Sequence, residues 1–154
     1  MLNKLTKNYA LLIFCSFLLL SCSGTKPSLI GQFPPCPDKP NCVSSKSSLS
    51  LHKVAPIIYK GTPKNAKEII LGIIKSMPRT KLSSNKENFI HIEFTSKIFR
   101  FVDDLEFYFE DMGIIHIRSA SRVGHSDMGV NRERVEEIRL LFAENLASSI
   151  MKIP

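Results

Sequence analysis

Few features of this sequence announce a chemistry. Its 154 residues hold only four cysteines, no internal repeat and no catalytic motif of high specificity. No basic run alternates with aromatic residues, which excludes a nucleic-acid-binding signature. The longest apolar run, Tyr9 to Leu20, covers about a dozen residues and falls short of the ~20 a bilayer-spanning helix needs. Metal chemistry is excluded on similar grounds. The closest cysteines, Cys36 and Cys42, have no further Cys or His ligand nearer than His52. No cofactor is expected.

What is present begins with an address. Met1 to Asn8 carries Lys4 and Lys7 without an acid, the apolar run follows, and Ser21, Cys22, Ser23 and Gly24 supply small residues. That order is the n-region, h-region and small-residue site of a secretory signal. Leu19-Leu20-Ser21-Cys22 resembles the lipobox of bacterial lipoproteins, which implies that Cys22 receives a diacylglycerol and becomes the new N-terminus. Leu20 is a less usual residue at its place. Cys15 competes poorly, because Phe14 before it is too bulky for the small position. Two or three acyl chains, palmitate among them, would make attachment effectively permanent. Ser23 after the cysteine resembles the default for the outer membrane, on its periplasmic face, in a Gram-negative cell. The expected organisation is therefore a signal peptide over 1–21, a lipidated tether over 22–50 and a folded domain over 51–154.

The formal charge is +7, and removing Lys4 and Lys7 leaves 7 − 2, or about +5, on the mature chain. A balance of that size favours anionic surfaces such as lipid headgroups or polyanionic polymers. Hydrophobic residues make up 44% of the chain, too many for a disordered protein.

Between Ser23 and Pro40 stand Pro27, Pro34, Pro35, Pro37 and Pro40, which fix φ and remove donors, so an extended tether is expected. In an exported protein the nearby pair Cys36 and Cys42 most often forms a disulfide, and its spacing is not the C-x-x-C of a redox-active pair. Its expected role is a structural staple.

The rest of the chain alternates between helical and strand patterns. Thr62-Pro63 looks like an N-cap with proline at the first helical position, and Ala66, Ile69, Ile70, Ile73, Ile74 and Met77 form one apolar face ending before Pro78. Strands are expected at Arg79 to Ser83, Phe89 to Thr95, Leu105 to Phe109 and Ile114 to Ser121, with turns at 84–88 and 110–113. A final helix runs from Arg132 to about Met151. The expected class is α+β, a four-stranded antiparallel sheet with two helices packed on one face.

Unusual polar residues crowd into two places, Lys97 to Asp104 and Arg118 to Arg139. Arg118-Ser-Ala-Ser-Arg122-Val-Gly124-His-Ser-Asp127-Met-Gly129-Val-Asn131-Arg132-Glu-Arg134 resembles the signature of the domain of unknown function 1499 family. Pro35-Cys36-Pro37 with Pro40-Asn41-Cys42-Val43-Ser44-Ser45, Phe101-Val102-Asp103-Asp104-Leu105-Glu106-Phe107 and the Arg134 to Arg139 helix start support the match. Together these stretches span nearly the whole mature chain. The resemblance implies no activity, so the residues must be weighed on physics.

Arg118 and Arg122 fall near a strand end, and Arg132 and Arg134 near the start of a helix, where positive charge does not help the helix. Such a cluster makes sense beside an anion. Asp103, Asp104 and Asp127 could supply it as an internal salt-bridge network, or a ligand could supply a phosphate or carboxylate. The leading expectation for function is a lipid-anchored binding domain for an anionic ligand or an envelope protein. The competing expectations are a hydrolase-like enzyme using Asp103, Asp127 and His125, and a purely structural envelope protein. Adjacent side chains such as His125, Ser126 and Asp127 point apart and do not converge as a triad. Gly124 and Gly129 are expected to permit tight turns, and Asp127 or Asn131 to cap the last helix.

Overall fold

The computed structural model describes residues 33–110 and 113–150, without the side chains of the last two. The expected signal peptide, Cys22 and the expected tether as far as residue 32 lie outside the described residues, as do residues 111–112 and 151–154.

Among the described residues eight elements follow one another. They are β1 (Cys42–Ser44), β2 (Ile57–Ile58), α1 (Pro63–Ser76), β3 (Thr80–Lys86), β4 (Phe89–Thr95), β5 (Val102–Glu110), β6 (Ile114–Ser121) and α2 (Val130–Ile150). Each strand of the meander β3 to β6 pairs antiparallel with the next. Beyond β6, β1 pairs with Cys42 opposite Ala120, and β2 with Ile57 opposite Ile115, both antiparallel. The sheet therefore has six strands rather than four. Both additions are too short to show a period, and β1 lies in the stretch expected to be tether. Only pairing with β6 makes them strands, so the fold begins ahead of residue 51.

Thr62 caps α1 by accepting the Asn65 N–H, and the helix ends at Ser76, ahead of Pro78. Its Ala66, Ile70, Ile73 and Ile74 are buried. Val135, Ile138 and Phe142 of α2 join them against Ile90, Ile92, Phe94, Leu105, Phe107, Phe109, Ile115 and Ile117, which alternate along β4, β5 and β6. The α+β class and the two-helix layer follow from that alternation.

The same alternation sends His91, Glu93, Asp104, Glu106, His116, Arg118 and Ala120 to the opposite face. That face is not open. Residues 33–37 cross it as a proline-rich strap, where the Pro34 carbonyl accepts from Arg118 Nε at 3.0 Å. A disulfide between Cys36 and Cys42, with Cα atoms 5.6 Å apart, clips the strap to β1. Part of the stretch expected to be tether thus belongs to the fold.

Candidate functional site

The arginines of the signature separate onto the two faces. On the helix side, Arg134 Nη2 donates to Asp103 Oδ2 at 2.8 Å, and its guanidinium lies 4.5 Å from the Phe94 ring centroid. Arg134 also donates to Asn131 Oδ1 at 2.7 Å. Asn131 is fully buried and sends Nδ2 to Ser121 Oγ at 3.0 Å and the Asn41 carbonyl at 3.3 Å. Arg132 donates to the carbonyls of Leu51 and Lys53, both at 2.8 Å. Asp127 caps α2, its carboxylate accepting from Gly129 N and Asn131 N, each at 2.9 Å. Gly124 and Gly129 take φ of 91° and 89°, conformations that glycine adopts without penalty.

Arg118 and Arg122 occupy the strap side. Glu106 faces Arg118 directly across β5 and β6, and Arg118 Nη1 donates to Glu106 Oε2 at 2.8 Å. Glu106 is completely buried, and burial pushes its carboxyl above the usual range despite the guanidinium beside it. Its second oxygen, Oε1, has no hydrogen-bond partner among the described residues. Arg122 grips Asp104 through Nε and Nη2 at 2.8 and 2.6 Å, and the same Nη2 reaches Glu93 Oε1 at 2.6 Å. His91 Nε2 completes the group at 2.7 Å from Asp104 Oδ1. Burial alone would raise the Asp104 carboxyl, but the hydrogen bonds from Arg122 and His91 hold it below its ordinary value. The Arg122 hydrogen bond lowers Glu93 likewise, and Arg122 itself is raised, chiefly by its bond to Asp104.

Between the two arginines stands Ala120. Its methyl leaves room that a longer side chain would fill, and a cleft of about 440 Å³ opens there. Arg118, Arg122, Asp104 and Asn41 line it together with Lys39 and the strap. Neither Arg118 Nη2 nor Arg122 Nη1 is engaged by the bonds just described. Each guanidinium therefore keeps donor capacity beyond its internal pair.

Sequence reasoning named Arg118, Arg122 and Asp104 but missed Glu93, Glu106 and His91. Their signal was the strand alternation, which placed all three on one face without showing which arginine each meets there. Asp103, by contrast, lies on the helix side, away from Asp104. No carboxylate contacts His125 among the described residues. The arrangement expected of a hydrolase, with Asp103, Asp127 and His125 together, is not assembled: Asp103 is committed to Arg134, and Asp127 to the helix cap.

The family described as "Protein of unknown function (DUF1499)" matches residues 32–142, most of the chain. The chain belongs to this family. The matched region starts at the strap, so the DUF1499 domain includes the disulfide and β1 as well as the helix-covered meander. No curated protein matches the chain.

Proposed function

We propose that this DUF1499 protein is a lipid-anchored envelope protein whose domain binds a small anionic group, phosphate or carboxylate, in the cleft beside the strap. The observation that carries the binding reading is that Arg118 and Arg122 flank one cleft and each retains a terminal nitrogen free to donate. Planar guanidinium groups suit such oxyanions, and Lys39 adds positive charge at the rim. The anchor reading draws its support from the lipobox-like Leu19 to Cys22 and the preceding apolar run.

Titrating glycerol phosphate and acetate into the purified full-length protein tests the binding reading. Saturable binding is expected. Ala120→Leu, which narrows the cleft between the two arginines without removing a charged group, should weaken it about tenfold or more. Lys39→Glu should weaken it as well. Binding that survives both substitutions would remove the cleft from consideration.

A second reading, a purely structural envelope module, is supported by the internal pairing of Arg118 with Glu106 and of Arg122 with Asp104 and Glu93. It predicts no saturable binding of either anion.

A further inference from the structure

The connection between β4 and β5 is a closed apolar tip. Ser96 N donates to the Phe101 carbonyl at 2.8 Å, and Phe101 N donates back to Ser96 Oγ at 2.9 Å. These bonds seal the neck of the turn, and Arg100 takes a positive φ of 57° just before it closes. Within this short loop Ile98 is 78% exposed, Phe99 74% and Phe101 50%. The Phe99 and Phe101 rings stack with centroids 5.6 Å apart. Scattered apolar residues on a surface need no explanation, but three large ones within four positions, held outward by a sealed neck, form a patch.

The charged residues of the loop and the arginine at its base are all basic. Lys97 and Arg100 belong to the loop, and Arg79 stands at its base, where its carbonyl accepts from Thr95 N. All three are exposed, and none forms an ion pair among the described residues. The acids nearest in sequence are paired with arginines, Asp103 with Arg134 and both Glu93 and Asp104 with Arg122. The β6–α2 loop at the same end of the sheet adds Met128, 92% exposed.

We infer that the Ser96–Phe101 tip is a membrane-interface wedge for anionic bilayers. Ile98, Phe99 and Phe101 enter the boundary between headgroups and acyl chains, while Lys97, Arg100 and Arg79 meet lipid phosphates. Apolar and aromatic residues flanked by lysine and arginine suit that boundary, where one end of each side chain is dry and the other wet. A protein partner of matching apolar shape would leave three like charges to be offset separately, so the cationic rim favours a lipid surface. The inference rests on the lipid-anchor reading only for bringing a bilayer within reach; the tip would set which end of the domain faces it.

The chain contains no tryptophan, so Phe99→Trp places a single reporter on the tip. The full-length protein carrying it, processed in a bacterial host, is reconstituted into phosphatidylcholine–phosphatidylglycerol vesicles, and intact mass records whether Cys22 is acylated. The indole emission of the Phe99→Trp protein should shift to the blue and be quenched by lipids brominated on their acyl chains. Adding Lys97→Glu with Arg100→Glu should diminish both effects. Leu140→Trp, on the exposed side of α2, should show neither. Emission from the tip reporter that stays solvent-like in vesicles holding acylated protein would overturn the wedge. So would a blue shift that grows with protein concentration without vesicles, which would assign the tip to a second copy. Quenching of an unacylated protein would retain the wedge and refute the anchor.

Discussion

Arg122 holds Asp104 by two nitrogens, and Asp104 in turn is only 3% exposed at its side chain. A guanidinium committed in this way is first of all a brace between β5 and the end of β6. Any ligand must therefore use what the brace leaves over. That ordering separates the stability predictions from the binding ones.

Arg122→Ala should lower the stability of the domain by about 3 kcal/mol or more, because it leaves a buried carboxylate without its partner. Denaturant unfolding measures the loss. A change within about 0.5 kcal/mol, usual for an exposed side chain, would show that the pair contributes nothing.

Two carboxyls on the strap side should respond to pH with opposite sign. Asp104 is lowered in the fold, so its contribution is present above its unfolded value of about 3.9 and is lost as pH falls through its folded value. Glu106 is raised, so the fold binds its proton more tightly than the unfolded chain does. Its effect therefore turns unfavourable as pH rises from about 4.3 through its folded value. Relative to the wild type, Glu106→Gln should gain stability over that rise. A difference that is flat or falls with pH would contradict the burial of a raised acid.

Asn131 ties three segments together through one buried amide, joining β6, the residue ahead of β1 and Arg134 of α2. Asn131→Ala should cost about 3 kcal/mol, since several buried groups lose partners at once. Asp127→Ala removes a helix cap and should cost only about 1 kcal/mol. Equal losses, measured by thermal unfolding, would assign Asn131 a capping role instead.

How far the sequence disclosed these relationships depended on the length of each pattern. The α1 face, β4 and the β6 bounds were legible because Ile and Phe recur with a clear period and Thr62-Pro63 marks a start. Strands of two or three residues, such as β1 and β2, have no period to read. The disulfide was legible from the spacing of the two cysteines together with the expectation of export. That its strap reaches Arg118 was not, because the contact between Pro34 and Arg118 joins residues 84 positions apart. Adjacent Asp103 and Asp104 looked like one cluster, yet strand geometry sends them to opposite faces, and the cluster divides with them.

Cleavage of the Cys36–Cys42 bond should lower stability by roughly 2 kcal/mol on the loop-entropy estimate. Thiol labelling of the folded protein should detect neither cysteine until reductant is added. Ready labelling without reductant would show that the staple does not form. Separately, Cys22→Ala should leave the protein unprocessed or release it from the membrane fraction, and normal processing with normal attachment would refute lipidation.

The cleft itself is tested most directly by following arginine side-chain Nε–H resonances during a glycerol phosphate titration. Arg118 and Arg122 should shift together and saturate at one concentration. Arg132 and Arg134, engaged outside the cleft, should stay in place. Resonances of Arg118 and Arg122 that do not move, or that move no more than those of the other two, would contradict anion binding between them.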